Sequence, residues 1–115
     1  SALPSVNIPL NFEYGTTTLT AESAKNIQTI ARALAKNYAD KTILFVGHAD
    51  VRGTEDYNMA LSIGRAQAVQ AEVTRFSPVL SENISIVGKG ESTPLSVGDT
   101  EADHSVNRRL EIVIQ

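Results

Sequence analysis

An acidic and a basic residue stand fifteen positions apart in the middle of the chain, on either side of two polar residues of a predicted helix. Asp50 closely follows an apolar run, and Arg65 lies two to three turns into that helix, after Asn58 and Ser62. A carboxylate accepts hydrogen bonds from an ammonium group, and a guanidinium holds a carboxylate through two parallel hydrogen bonds. These residue types therefore predict a site that clasps a ligand carrying both an ammonium and a carboxylate.

The helix that carries Arg65 has polar residues where its apolar face should continue. On a wheel of 3.6 residues per turn, the apolar face comprises Met59, Ala66, Val69, Val73 and Phe76. Toward the amino end the same face meets Asn58 and Ser62, with Arg65 at its edge. A buried polar group without a partner costs about 1–3 kcal/mol, and a charge costs more. These side chains therefore either have structural partners or face a cleft.

A purely structural role for these residues stays open at this point. Asn58 and Ser62 can tie down the loop over residues 47–56, and Arg65 can pair with Asp50 or with loop carbonyl groups. Position favours a ligand site, because ligands of open α/β sheets bind beyond the carboxyl ends of strands. Asp50 lies just past such a strand end.

The elements that must position these residues follow the order β-α-β-α-β-β. Apolar patterning predicts strands over residues 6–12, 43–46, 83–87 and 110–114, and helices over residues 20–38 and 56–75. Pro9 cannot donate to a ladder, which places the first strand at an edge or at a bulge. Thr20 is the expected N-cap of the first helix.

Two strand–helix–strand connections within 115 residues indicate one small domain of the α/β class. We expect a two-layer sandwich, in which a mixed sheet carries its helices on one face. The domain is predicted to cover residues 1–115, with residues 1–5 disordered.

Composition argues against several classes of function. The net charge of −3 and the pI of about 5.3 provide no broad basic field for nucleic acid, and the chain has no Trp for base stacking. Without cysteine, neither a disulfide nor a thiolate metal site can form. His48 and Asp50 supply only two ligands, so we expect no metal ion and no cofactor. No apolar run is long enough to span a membrane.

The chain also lacks a recognisable catalytic arrangement. It has no G-x-S-x-G sequence, and residues 88–93 (GKGEST) lack the order of a phosphate-binding loop. Glu55 and Asp56 stand at a helix start, where carboxylates interact favourably with the helix dipole. His104 stands in a polar loop, where we expect a solvated side chain rather than a catalytic one. We therefore expect no catalytic residues and no enzyme activity.

Four spaced motifs occupy residues 47–58 (GHADVRGTEDYN), 61–66 (LSIGRA), 88–94 (GKGESTP) and 107–112 (NRRLEI). In this order they resemble the OmpA-like domains, and the form of the first motif is especially similar to the peptidoglycan-associated lipoproteins. Phe12 and Leu19 match the opening strand and turn of the family. The resemblance covers nearly the whole chain, and four motifs in order are far more specific than any one of them.

The resemblance implies noncovalent binding of bacterial cell-wall peptidoglycan through its diaminopimelate-containing stem peptide. Asp50 and Arg65 match the family's principal ligand contacts, Asn58 and Arg108 match supporting positions, and Leu61 belongs to the same implied set. Such binding anchors the outer membrane or an envelope complex to the wall. The resemblance also implies a periplasmic location, membrane attachment only through parts of a longer protein, and envelope proteins as further candidate partners.

The chain departs from the family pattern at several positions. Gly64 replaces the Arg or Ala often found before the matching arginine, at a cost of up to about 1 kcal/mol in a helix. Residues 13–16 lack the common Asp or Asn after the aromatic residue, and Asp103-His104 stands where Gly-Arg is frequent. These differences bear on affinity and ligand preference rather than on the class of protein.

Three other interpretations stay open. Within the same class, the domain can belong to a flagellar stator or to a secretion-system protein. A different class is a cell-wall hydrolase that uses Asp50 or Glu91 as its base. The third is an OmpA-like domain that makes only protein–protein contacts.

Overall fold

The computed structural model of the protein describes residues 5–9, 12, 17–48, 54–90 and 109–115. The elements are β1 (Ser5–Pro9), α1 (Ala21–Tyr38), β2 (Ile43–His48), α2 (Glu55–Phe76), a 3-10 turn (Pro78–Leu80), β3 (Ile84–Gly90) and β4 (Arg109–Ile114). This order confirms the predicted succession of strands and helices. Ser5 is the first residue of β1, so it belongs to the sheet rather than to the disordered start expected over residues 1–5.

The sheet has four strands in the order β1-β4-β2-β3. β4 is antiparallel to both β1 and β2, while β2 and β3 are parallel. The first strand–helix–strand unit is therefore split, because β4 lies between β1 and β2. β1 is an edge strand, which confirms the position predicted for Pro9 from its missing N–H donor.

One face of the sheet packs against both helices and forms the hydrophobic core. Side chains alternate between the two faces of a strand, and the core takes alternate residues of β2 and β4. The buried members are Ile27, Ala31, Leu34, Ile43, Phe45, Ala66, Val69, Val73, Leu80, Ile84, Leu110 and Ile112. Burying a large apolar side chain contributes about 1.5–3 kcal/mol. The predicted two-layer sandwich with helices on one face is confirmed.

Threonine side chains fix where both helices begin. Thr20 Oγ1 accepts a hydrogen bond from the backbone N–H of Ser23 at 3.2 Å, which confirms the predicted cap of α1. Thr54 Oγ1 accepts from the N–H of Tyr57 at 3.1 Å. Since Thr54 caps α2, the helix starts one residue before the predicted start at Asp56.

One residue that we predicted for the core is on the surface. Met59 is 40% exposed, whereas Ala66, Val69 and Val73 are fully buried as predicted. The buried face of α2 continues from Val69 toward the amino end through polar residues, and Met59 lies beside this line. A wheel drawn from apolar residues alone gives the wrong position for Met59, because the true line of burial is partly polar.

Two glycines let α2 approach the sheet closely. Gly47 of β2 and Gly88 of β3 are paired neighbours in the parallel ladder. A Cβ on Gly47 would overlap the backbone carbonyl of Ser62, and one on Gly88 would lie 2.7 Å from Ser62 Oγ. β3 runs through Gly88 to Gly90, three residues that we predicted to open a loop. These glycines place the middle of α2 directly on the ends of β2 and β3.

Gly47→Ala should destabilise the fold more than Gly88→Ala does. The new methyl at residue 47 meets helix backbone, which cannot move alone, and overpacking of this kind costs about 1–3 kcal/mol or more. At residue 88 much of the conflict is with the side chain of Ile63, which is partly exposed and able to shift. Urea unfolding of the two variants measures the difference, and a greater loss for Gly88→Ala would contradict the described contact.

Candidate functional site

The amino-terminal half of α2 buries three polar side chains. Asn58 is 2% exposed, Ser62 is fully buried, and Arg65 is 7% exposed. Residues four and three positions apart lie on one side of a helix, so these three continue the line of Val69 and Val73. The prediction that polar residues interrupt the buried face of this helix is confirmed, and Arg65, expected at its edge, is buried.

This polar face lies at the carboxyl ends of the two parallel strands. Ser62 rests against Gly47, which is the last residue but one of β2. Asn58 is one turn nearer the amino end of α2 and Arg65 is about one turn further along the helix. Ligands of open α/β sheets bind at such strand ends, so the position fits a binding site as well as a structural role.

Ser62 and Arg65 have contrasting surroundings. Ser62 Oγ donates to the carbonyl of Met59 at 2.8 Å, so its hydroxyl is satisfied within the helix. The guanidinium carbon of Arg65 lies 4.8 Å from the centre of the Phe12 ring. A cation over an aromatic face is stabilised by the ring quadrupole, by about 0.5–2 kcal/mol depending on desolvation. Ser62 therefore supports packing, whereas Arg65 places a buried charge against an aromatic ring.

The structure locates three of the five predicted ligand-binding residues. Asn58 and Arg65 come together on one face of α2. Leu61, three residues after Asn58 and four before Arg65, lies half-buried beside both. Asp50 and Arg108 lie outside the described residues, so their positions beside Arg65 stay predictions.

Phe12 is a neighbour of Arg65 that the sequence did not reveal as one. We matched Phe12 and Leu19 only to the opening strand and turn, and the structure joins them in an isolated antiparallel bridge. Thr17, in the same segment, lies so close to α2 that a Cβ on Gly64 would be 2.7 Å from Thr17 Cγ2. In the sequence, a glycine within a helix at residue 64 was the available signal that another segment approaches α2 closely.

A second polar cluster lies on the sheet face opposite the helices. His48 Nε2 is 3.4 Å from Glu111 Oε1, and His48 is 3% exposed. Burial lowers the pKa of His48, and the charges of Arg109 and Lys89 lower it further, while Glu111 opposes them. Burial also lowers the pKa of Arg109, again against the effect of Glu111. At neutral pH these effects together favour the neutral form of His48.

Lowering the pH should destabilise the protein through His48. The pKa of His48 in the folded state lies below its unfolded value of about 6.5, so the unfolded chain binds the proton first. Stability is lost as the pH falls from about 6.5 through the folded pKa, with a slope of at most about 1.4 kcal/mol per pH unit. Urea unfolding of the parent and of His48→Gln at several pH values measures this. A parent-minus-variant difference that does not change with pH would contradict it.

Within the described part of the chain, no three His, Cys, Asp or Glu side chains are grouped to hold a metal ion. In the same residues, neither helix is long and apolar enough to cross a membrane.

The split four-stranded sheet, with two helices on one face and a buried polar face on α2, defines a known class of domain. The chain belongs to the OmpA family, whose sequence profile matches residues 11–108. The family expected from the four motifs is confirmed.

Individual relatives agree with this assignment. The chain is 34% identical over 104 residues to a peptidoglycan-associated lipoprotein of Legionella pneumophila, covering 90% of this chain and 58% of the relative. The structure of this chain is similar to that of the peptidoglycan-associated lipoprotein from Burkholderia pseudomallei, with a TM-score of 0.79. The two are 29% identical, and the match covers 95% of this chain and 89% of that one. It is also similar to the cell wall anchor of the T6SS from Pseudomonas aeruginosa, with a TM-score of 0.81 and 26% identity over 96% of this chain and 79% of that one. The chain spans 58% of the length of the Legionella pneumophila lipoprotein and 59% of that of a peptidoglycan-associated lipoprotein of Pseudomonas putida.

Proposed function

We propose that this domain binds bacterial cell-wall peptidoglycan noncovalently, through the diaminopimelate residue of the stem peptide. The observation that carries this function is the buried polar face of α2, which brings Asn58 and Arg65 together at the carboxyl end of β2. Relatives named peptidoglycan-associated lipoprotein and cell wall anchor support the same class of ligand.

Each residue of the site has a role set by its chemistry. The far end of diaminopimelate carries an ammonium and a carboxylate on one carbon. Arg65 holds the carboxylate through two parallel hydrogen bonds, and Asp50 accepts from the ammonium. Asn58 orients these groups as a neutral hydrogen-bonding side chain, and Leu61 contributes apolar contact beside them. Charged hydrogen bonds are roughly twice as strong as neutral ones, so Arg65 and Asp50 dominate the affinity.

We include Arg108 in the proposed site because of its position in the sequence. It directly precedes β4, whose Leu110 pairs with Gly47 near the end of β2. The start of β4 and the end of β2 therefore lie at the same end of the sheet. A second cation near this end favours the same anionic group that Arg65 binds.

Binding of this kind involves no bond cleavage, so the domain acts as a tether. Within a longer protein it anchors the outer membrane, or an envelope complex, to the wall from the periplasm. Envelope proteins are then its further partners. Relatives among the outer-membrane porins and lipoproteins support this setting.

Incubation with purified sacculi tests the proposed function. We expect the domain to sediment with sacculi that contain diaminopimelate, to stay in solution with an unrelated insoluble polysaccharide, and to release no soluble wall fragments. Release of fragments would indicate that the domain is a cell-wall hydrolase rather than a tether. A folded domain that does not sediment would favour a domain used only for protein–protein contacts.

A further inference from the structure

We propose that Phe12 is a positioning residue for Arg65 and thereby sets the preference for a ligand carboxylate. This role rests on the proposed function, because the carboxylate is that of the bound stem peptide. The ring of Phe12 lies against the guanidinium, with 4.8 Å between the ring centre and Arg65 Cζ. Phe12 makes no hydrogen bond to the ligand and acts through Arg65 alone.

The geometry of a guanidinium explains what such a contact achieves. The five N–H donors of arginine all lie in one plane, and a carboxylate must approach in that plane to accept two parallel hydrogen bonds. An aromatic ring over the guanidinium engages its face and leaves the hydrogen-bonding plane unchanged. Because arginine has many rotamers in the absence of such contacts, the ring keeps the plane ready for the carboxylate and lowers the entropy lost on binding.

The segment around Phe12 is anchored at two places that are independent of Arg65. Phe12 and Leu19 pair in an antiparallel bridge, and both side chains pack against the hydrophobic core. Thr17 contacts α2 at Gly64, the residue directly before Arg65. The core therefore holds the ring of Phe12, and Thr17, close to the bridge partner Leu19, lies against α2.

Gly64 permits this close approach. A Cβ at residue 64 would lie 2.7 Å from Thr17 Cγ2 but 3.6 Å from Thr17 Cβ, which is an ordinary van der Waals distance. The conflict with alanine at this position would thus arise from a single methyl group of Thr17. The glycine that departs from the family pattern allows Thr17 to sit against the turn of α2 that carries Arg65.

Aromatic and aliphatic replacements of Phe12 distinguish its effect on the orientation of Arg65 from its packing against the hydrophobic core. Phe12→Tyr keeps the ring face, whereas Phe12→Leu keeps apolar packing against the core and removes the face. Each variant is titrated by calorimetry with two matched stem peptides, one containing diaminopimelate and one containing lysine. We expect Phe12→Leu to bind the diaminopimelate peptide about fivefold or more weakly, with little change for the lysine peptide. Phe12→Tyr should keep the selectivity of the parent.

A second pair of variants tests the same inference away from the ring. In Gly64→Ala the new methyl would lie 2.7 Å from Thr17 Cγ2. We expect the displaced Thr17 side chain to disturb the neighbouring Phe12–Arg65 contact and to reduce the selectivity for diaminopimelate. Gly64→Ala combined with Thr17→Ser removes the conflicting methyl and should restore it. A role of Phe12 and Gly64 in stability alone would change melting temperatures but leave the ratio of the two affinities unchanged.

The outcomes distinguish this inference from the proposed function. A selective parent, with the same selectivity in Phe12→Leu and in Gly64→Ala, would overturn the role of Phe12 and leave peptidoglycan binding intact. A folded parent that binds neither peptide would overturn the proposed function and, with it, the role of Phe12. If Phe12→Leu does not fold, Phe12→Met, which also keeps apolar packing and removes the ring, decides the matter in the same titrations.

Discussion

Arg65→Ala should weaken binding to diaminopimelate-containing peptidoglycan by about 30-fold or more, whereas Asn58→Ala should have a smaller effect. Removing one partner from a desolvated charge pair costs about 2–5 kcal/mol in binding, and 1.4 kcal/mol corresponds to a factor of ten. Asn58 is also buried but neutral, and a neutral hydrogen bond contributes roughly half as much as a charged one. Equilibrium binding to sacculi, measured with labelled protein, ranks the two variants.

Arg75→Ala is the matched control for the loss of a positive charge from α2. The Arg75 side chain is largely exposed and pairs with Glu72 at the far end of the helix, and an exposed pair of this kind contributes about 1 kcal/mol or less. Its binding should equal that of the parent. Equal losses in Arg65→Ala and Asn58→Ala, with both variants folded, would contradict the ranking.

Melting temperatures separate a ligand site from a structural ion pair. If Asp50 and Arg65 serve only the fold, removing either partner should cost about 3–5 kcal/mol of stability without ligand. If they bind ligand, Asp50→Ala and Arg65→Ala should lose far more binding than stability. A large fall in melting temperature for both, with binding retained by the folded fraction, would favour the structural role.

Stem peptides that contain diaminopimelate should bind at least about tenfold more tightly than matched peptides that contain lysine. Lysine offers only an ammonium at the far end of its side chain, so Arg65 would be left without its anion in a partly dehydrated site. A site built for a polar group rejects an analogue that lacks it, because its own donors are then unpaired. The loss of one charge-assisted contact is worth about 2–5 kcal/mol.

Calorimetric titration of the parent with the two peptides measures this selectivity. The peptides are matched in length and differ only in the side-chain carboxylate of diaminopimelate. The ratio of the two affinities therefore measures how strongly the site recognises this carboxylate. Equal affinities would show that Arg65 does not read the ligand carboxylate, even if the domain binds the wall.

Local sequence signals sufficed for most of the fold. Thr20 has the side chain of a helix cap and caps α1, and the apolar run at residues 43–46 lies within β2. Pro9, which lacks a donor, lies in an edge strand. Such features depend on a few neighbouring residues and can be interpreted without knowing what packs against them.

Features that depend on contacts between distant segments could not be predicted. The extension of β3 through Gly88 follows from its pairing with Gly47, and the sequence does not reveal which strands are neighbours. Met59 is exposed because the buried line of α2 is partly polar.

In the candidate site, too, local features could be predicted from the sequence and contacts between distant segments could not. The polar residues Asn58, Ser62 and Arg65 could be predicted as a set, because their spacing puts them on one face of a helix. The contact between Arg65 and Phe12 could not, because 52 intervening residues separate them in the sequence. The Phe12–Leu19 bridge, with both side chains packed against the core, accompanies the contact between the ring and the guanidinium.

Mapping a diaminopimelate stem peptide by NMR tests the location of the site most directly. As peptide is added to the isotope-labelled domain, we expect the largest amide shifts at the end of β2 and in the first three turns of α2, including Asn58, Leu61 and Arg65. The turn at Pro78–Leu80, at the far end of α2, should show little change. Saturable binding with its largest shifts at that turn, or along α1, would contradict a ligand site on the buried polar face of α2.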